Sequence, residues 1–288
     1  MPYSHAFLAG LAILGAGVGY AAGLFGVGGG FMLTPLLISL FGIDPAVAVG
    51  SGLAQMIVVG AGSAWRHAKK HCTDTRLVLC MAPGTIIGTA LGKGFLKYLE
   101  GIGSVSFLGR KAPFATTTVS AIFVVLLFGI AIHLWRENNS EQDNPSNRLC
   151  WPNGPLRIGL PASNVKAVSL FSLTMAGLLI GVLAGLLGIG GGVILIPLLV
   201  YGYGIHLRMA IGTSSLLIMV SAIAGTIQYA LAGKVDLRIV FALMAGSLIG
   251  VQFGAWHSHR IHVAYLQRAF ALLVIAIACI CLVRIIWS

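Results

Sequence analysis

Charged residues are scarce in this sequence. They make up 9% of its 288 residues, whereas apolar residues make up 58%. An average soluble domain is about 25% charged, so this chain cannot surround a globule with a solvated surface. The composition excludes an ordinary soluble fold and predicts an all-α polytopic membrane protein.

Acidic residues are especially few, with 7 Asp and Glu against 18 Lys and Arg. In a soluble protein this imbalance would suggest nucleic-acid binding. Here the basic residues stand between apolar runs, where they orient a membrane protein and contact anionic head groups. We therefore expect membrane lipids, and not nucleic acid, as partners.

Patterns for catalysis or metal binding are also missing. The five cysteines include no CxxC pair, and no Ser-His-Asp, Cys-His or paired-carboxylate set is recognisable. His257, His259 and His262 stand close together without a nearby carboxylate, which disfavours a metal site. We expect no disulfide, metal, cofactor or catalytic residue, and hence no enzyme.

Apolar runs of about 20 residues, the length that crosses a bilayer, occur eight times. They cover 6–26, 46–65, 77–96, 113–135, 167–188, 209–231, 239–256 and 268–286. Two shorter apolar pieces, 31–42 and 193–204, each follow a triple glycine. Such pieces form either re-entrant half-helices or short, tilted spans, so eight and ten spans both stay open.

The chain repeats itself. With a shift of 162 residues, 15–92 aligns on 177–254 without a gap, with 26 of 78 positions identical and twelve glycines in register. This predicts two homologous transmembrane repeats, 1–135 and 167–288, joined by a polar linker, 136–166. We call these repeats the first and second halves, and two residues 162 positions apart counterparts.

The orientation of the halves is not fixed by charge. Ten spans make the halves inverted and eight make them parallel, and both arrangements place 11 basic residues inside and 7 outside. Both also put 66–76 and the 136–166 linker in the cytoplasm.

Glycine is the most over-represented residue, at 39 of 288, about twice its usual ~7% share. Some glycines recur every four residues, which places them on one helix face and lets two backbones approach closely. These predicted packing stripes are Gly15, Gly19 and Gly23, Gly84, Gly88 and Gly92, and their counterparts Gly177, Gly181, Gly185, Gly246, Gly250 and Gly254.

The strongest motif is a duplicated string, GLFGVGGGFMLTPLLI at 23–38 and GLLGIGGGVILIPLLV at 185–200. Three glycines interrupt an apolar helix, and a new helix begins with proline in its first turns, where the missing N–H costs nothing. The new helix exposes unpaired N–H donors and a partial positive charge. Two such ends facing one cavity would form an anion site. The alternative is close packing plus a kink.

The predicted substrate-binding residues follow from this motif and from polar residues inside the spans. From the motif they are Gly28, Gly29, Gly30, Pro35, Gly190, Gly191, Gly192 and Pro197; from the spans they are Ser51, Gln55, Thr213 and Ser214. The hydroxyls would donate to a bound oxyanion, and the alternative is hydrogen bonding to their own helix carbonyls.

At the duplicated GxGGGxxxxPLL string the sequence resembles the TauE/SafE (TSUP) sulfite exporter family over nearly the whole chain. The resemblance implies transport of small sulfur-containing anions, such as sulfite and organosulfonates, across a bacterial inner membrane. It maps onto the motif alone, at Gly26, Gly28, Gly29, Gly30, Pro35, Gly188, Gly190, Gly191, Gly192 and Pro197.

The sequence thus predicts a multi-pass secondary transporter of the inner membrane that exports a small anion by alternating access around two broken helices. An anion channel is the main alternative, and a membrane-embedded redox protein a weaker one. The oligomeric state stays open, with a homodimer as one option.

Overall fold

A computed structural model describes residues 5–25, 29–69, 72–107, 110–137, 157–160, 165–258 and 263–287. Within these ranges the chain forms ten α-helices and a π-helical turn, Leu198–Gly202, that continues α7. The helices are α1 His5–Phe25, α2 Gly30–Phe41, α3 Pro45–Lys69, α4 Thr75–Gly101, α5 Phe114–Glu137, α6 Leu170–Leu187, α7 Gly192–Pro197, α8 Leu207–Leu231, α9 Leu237–Ser258 and α10 Val263–Trp287.

The all-α polytopic fold is confirmed. Helices lie within a few residues of each predicted apolar run, because these runs have no other way to satisfy their backbone in lipid. Within the part of the chain that the structure describes, six helices are long and apolar enough to cross a membrane: α1, α3, α4, α6, α8 and α9. The two shorter pieces form α2 and α7 with its π turn.

Two short antiparallel hairpins accompany the helices. Strand β1, Ser104–Phe107, pairs with β2, Arg110–Pro113, and β3, Arg157–Leu160, pairs with β4, Val165–Ser169. The second hairpin falls largely in the predicted 136–166 linker, so the end of this linker is paired strand rather than loose loop. Residues 138–156 of the linker lie outside the described residues.

Glycine stripes pack α1 against α9 and α4 against α6. At eleven of the twelve predicted stripe positions, a methyl group in place of the glycine hydrogen would collide with backbone atoms of the facing helix. These positions are Gly15, Gly19, Gly84, Gly88, Gly92, Gly177, Gly181, Gly185, Gly246, Gly250 and Gly254. The packing role predicted for these glycines is therefore confirmed.

The two helix pairs use equivalent contacts: when two residues touch in one pair, their counterparts touch in the other pair. Gly15 of α1 packs on Leu243 of α9, while their counterparts Gly177 of α6 and Met81 of α4 pack on each other. Each pair thus joins one helix from each half.

The order of contacts along the helices gives their directions. Met81 and Thr89 of α4 meet Gly177 and Gly185 of α6 in that order, so α4 and α6 run parallel. Helices α4 and α8 are parallel as well. The Asp74 N–H before α4 donates to Thr213 Oγ1 near the start of α8, at 3.0 Å. Further along, Gln228 Nε2 of α8 donates to Thr89 Oγ1 of α4, also at 3.0 Å.

Helices α6 and α8 consequently run in the same direction, and the segment between them must bring the chain back. The hydroxyl of Tyr203, just after the π turn, donates to the Ser172 carbonyl near the start of α6, at 3.1 Å. In the first half, the counterpart of Tyr203 is Phe41, whose ring packs edge-on against Phe7 near the start of α1, with centroids 5.4 Å apart. Both short segments therefore return along the preceding helix.

The counterpart helices α3 and α8 contact each other antiparallel. Gly50 of α3 packs on Tyr229 near the end of α8, whereas the hydroxyls of Ser63 and Ser215 lie 2.9 Å apart at the opposite ends of these helices. A two-fold axis that exchanges two antiparallel helices is perpendicular to both of them. If both helices cross a membrane, this axis lies in the plane of the membrane.

Candidate functional site

A new helix begins within each copy of the glycine string, and residues 26–28 of the first copy lie outside the described residues. Helix α1 ends at Phe25 and α2 begins at Gly30, while α6 ends at Leu187 and α7 begins at Gly192. The residue before each new helix, Gly29 or Gly191, has a positive φ, 68° and 81° respectively. Glycine adopts this left-handed conformation without the steric cost that a side chain adds. We call 29–30 the first break and 188–192 the second break.

The helix starts after the two breaks have the same hydrogen bonds. Met32 and Leu33 donate to the Gly29 carbonyl at 3.1 and 3.3 Å. Their counterparts Ile194 and Leu195 donate to the Gly191 carbonyl at 3.1 and 2.8 Å. In each case the first residue of the helix precedes these donors, at the end where a helix carries unpaired N–H groups and positive partial charge.

The two breaks lie together in the interior. A methyl group added at Gly30 or at Gly190 would collide with the side chain of Met56, which is fully buried in α3. The same methyl on Gly30 would be 3.0 Å from the Gly188 carbonyl oxygen, in the other half. Ile218, the counterpart of Met56, also faces Gly190. The structure thus brings both glycine motifs to one place between the halves.

The prolines lie deeper in their helices than the sequence predicted. Pro35 is the sixth residue of α2 and Pro197 the last of α7. At these positions a residue with an N–H would donate to the carbonyl four residues earlier, so the expectation that proline costs nothing there is wrong. After Pro197 the helix continues as a π turn, a departure from α-helical bonding that often occurs at functional sites.

Ser51 and Thr213 have structural partners. Each hydroxyl accepts the backbone N–H of an aspartate in the other half: Asp236 donates to Ser51 Oγ at 3.1 Å, and Asp74 to Thr213 Oγ1 at 3.0 Å. Ser214 Oγ donates to the Ile211 carbonyl of its own helix at 2.9 Å, the alternative weighed for these hydroxyls. Contact with substrate stays a prediction for all three.

Gln55 lies beside the breaks, and a neighbouring residue was missed by sequence reasoning. Gln55 is 2% exposed and precedes Met56 on α3. Three residues before it, Gly52 faces Thr34 of α2. Thr34 is fully buried, and its Oγ1 has no hydrogen-bond partner among the described residues. Its signal in the sequence was a lone hydroxyl in an apolar helix after the glycines, where polar groups are expensive and informative.

Some predicted features cannot be placed. Gly26, Gly28, His259 and His262 lie outside the described residues. His257 lies at the end of α9, with Nδ1 3.3 Å from the hydroxyl of Tyr20. Within the described ranges no group of three or more His, Cys, Asp or Glu residues is arranged to hold a metal ion.

One ion cluster joins the halves away from the breaks. Lys234 Nζ, after α8, lies 3.6 Å from Asp44 Oδ1 and 3.8 Å from Glu100 Oε2. Asp44 stands between α2 and α3, and Glu100 near the end of α4. Because the Lys234 side chain is 37% exposed, these pairs contribute little to stability.

An all-α membrane fold in which two interrupted helices meet between two halves is the architecture of membrane transporters. Sequence comparison identifies the family: residues 11–280 match the model described as sulfite exporter TauE/SafE. The chain belongs to this family of membrane transporters.

Several curated relatives are similar along nearly their whole length. A probable membrane transporter protein of Haemophilus influenzae is 26% identical over 285 residues, covering 92% of this chain and 94% of its own. The probable membrane transporter protein YjnA of Bacillus subtilis is 26% identical over 263 residues, covering 91% and 95%. The chain also matches 44% of the longer probable membrane transporter protein MamO of Paramagnetospirillum magneticum, at 26% identity. No solved structure matches this chain.

Proposed function

We propose that this protein is a secondary transporter that exports a small sulfur-containing oxyanion, of the sulfite or organosulfonate class, across the inner membrane. The observation that carries the proposal is the meeting of the two glycine breaks at Met56, in the contact between the halves. The family description, sulfite exporter, supports the sulfur-containing substrate.

The chemistry of the breaks favours an anion. The described break residues are glycines and Ile189, so they carry no acidic group and leave the backbone unscreened. The starts of two helices bring N–H donors and positive partial charge to this place, which suits a small oxyanion without a buried cationic side chain.

The helix directions favour a carrier built from inverted halves. Since α6 and α8 run in the same direction, five crossings per half place the first half upside down relative to the second. The described residues of both breaks are buried, as expected for a site that opens to one side of the membrane at a time. With ten crossings, 66–76 and the 136–166 linker share the side richer in basic residues, which the positive-inside rule makes cytoplasmic.

Flux in proteoliposomes tests the proposal. Purified protein is reconstituted with a high internal concentration of one anion, and uptake of the same labelled anion is followed for sulfite, thiosulfate, sulfoacetate, taurine and chloride, with and without a pH gradient. A carrier gives saturable uptake that internal substrate accelerates, for a sulfur oxyanion and not for chloride. A channel gives flux without this acceleration. If none of the sulfur compounds enters faster than into protein-free vesicles, the proposal is wrong.

A further inference from the structure

Thr34 departs from the usual behaviour of a threonine inside a helix. Such a hydroxyl normally donates to the carbonyl three or four residues earlier. Thr85 in α4 does so, with Oγ1 3.0 Å from the Met81 carbonyl oxygen. Thr34 is equally buried, with 0% of its surface exposed, yet its Oγ1 has no hydrogen-bond partner among the described residues. Because buried polar groups almost always have a hydrogen-bond partner, this unpaired hydroxyl needs an explanation.

The hydroxyl of Thr34 points at the second break. A methyl group added at Gly188 would lie 2.6 Å from Thr34 Oγ1, and one added at Gly52 would lie 3.5 Å from it. Thr34 belongs to α2 of the first half and Gly188 to the second half, so this contact crosses the interface between them. Any separation of the halves at this point uncovers a hydroxyl that is already without a partner.

Two polar side chains beside the breaks, Thr34 and Gln55, come from the first half and have apolar counterparts. The counterpart of Thr34 is Ile196, and the counterpart of Gln55 is Leu217. The second half instead contributes bare backbone at Gly188, with a φ of 70°. The second half also brings the Ser221 hydroxyl to its break, 3.3 Å from the Gly190 carbonyl oxygen and 2.8 Å from that of Ile218. Thr34, unlike Ser221, has no hydrogen-bond partner among the described residues.

We propose that the Thr34 hydroxyl donates a hydrogen bond to an oxygen of the transported oxyanion when the halves separate at the contact between α2 and the second break. The inference rests on the proposed function and deepens it, because it names a side chain that binds the substrate. The hydroxyl is a donor close to the start of α2, where N–H groups and the helix dipole attract the same anion. Oxygen atoms of a sulfite or sulfonate group are matching acceptors.

Three variants separate a binding role from a packing role. Thr34→Val keeps the shape and removes the hydroxyl, Thr34→Ser keeps the hydroxyl, and Thr85→Val removes a buried hydroxyl that is paired within its own helix. For each, KM and maximal rate of labelled sulfite uptake are measured in proteoliposomes. The midpoint of thermal unfolding in detergent is measured with and without sulfite.

We expect Thr34→Val to raise KM about 10- to 100-fold, since a hydrogen bond to a charged group is lost. It should not lower the unfolding midpoint without anion, because the hydroxyl has no partner to lose. Sulfite should raise this midpoint in the wild type and in Thr34→Ser, and much less in Thr34→Val. Thr85→Val should keep the wild-type KM.

A wild-type KM and a wild-type sulfite-dependent midpoint in Thr34→Val would overturn the inference. If that variant does not fold, Thr34→Ala takes its place in both measurements, with the same expected and contradicting results. The two proposals fail separately. If the wild type transports no sulfur anion, the proposed function is wrong; if it transports sulfite and the Thr34 variants do so equally well, only the role of Thr34 is wrong.

Discussion

The backbone N–H of Asp74 donates a hydrogen bond to the hydroxyl of Thr213, 139 positions further along the chain. Their counterparts are joined in the same way, since Asp236 donates to Ser51. Each aspartate also caps the following helix, with the Asp74 carboxylate accepting the N–H groups of Arg76 and Leu77. Each half thus anchors the start of one helix of the other half.

This pair of bonds predicts a loss of stability on removal of either hydroxyl. Thr213→Val removes the hydroxyl that accepts the buried Asp74 N–H and should lower the free energy of unfolding by about 1–3 kcal/mol. Ser51→Ala should lower it by less, because the bond from Asp236 is only partly buried. Thermal unfolding in detergent measures both. Ser214→Ala is the control, since that hydroxyl bonds within its own helix; an equal loss in the control would refute the cross-half role.

The packing stripes predict opposite effects for two glycines of one helix. Gly88→Ala would drive a methyl group into the Leu178 carbonyl, and we expect a loss of about 1–3 kcal/mol or no folded protein. Gly94→Ala, six residues further along α4, meets open space and should be neutral or stabilising by up to about 1 kcal/mol. Size-exclusion profiles and unfolding midpoints compare the two, and similar behaviour would count against the α4–α6 packing.

The breaks require glycine for steric as well as conformational reasons. Gly191→Ala places a side chain at a φ of 81° and against Ile180, whereas Gly103→Ala faces open space at a φ of 84°. We expect both to lose about 1–2 kcal/mol for the left-handed conformation, and Gly191→Ala to lose more because of the collision. Unfolding midpoints without anion test this, and equal losses would show that the second break is not closely packed.

The helix directions predict where the termini lie. Ten crossings put both termini on the side opposite the 136–166 linker, whereas eight crossings put all three on one side. With the linker cytoplasmic, a carboxyl-terminal alkaline phosphatase fusion should be active and a fluorescent protein fused there dark. A linker insertion should show the reverse. Cytoplasmic reporters at both places would mean that α2 and α7 do not cross.

Much of the fold could be predicted from the sequence, because the stable form of a long apolar run in lipid is a helix. The stripe glycines were predicted too, since spacing by four residues fixes a helix face. The orientation of the halves was not, because both arrangements give the same distribution of basic residues. The orientation of the halves is instead defined by contacts between residues far apart in the chain, such as Gln228 and Thr89. Local sequence patterns do not reveal such contacts.

The sequence predicted that the two glycine strings face each other, and their described residues meet around Met56. Substrate contact stays a prediction. The glycine strings indicated the breaks, because three glycines within an apolar helix favour a departure from helical geometry. The partners of Ser51 and Thr213 are the aspartates of the opposite half, so their hydroxyls were read as free donors. Thr34 could not be predicted, because a single hydroxyl in an apolar helix usually bonds within that helix, and only the structure shows that this one does not.

The most direct test of the central claim, alternating access between the halves, fixes the contact between α3 and α8. The hydroxyls of Ser63 and Ser215 lie 2.9 Å apart across this contact. Cysteines at both positions, in a background with the five native cysteines replaced by serine, can be joined by dibromobimane through thioether bonds. We predict that the joined protein loses sulfite exchange in proteoliposomes, while each single-cysteine variant treated with the same reagent keeps it. Exchange by the joined protein at the untreated rate would contradict transport by movement of one half against the other.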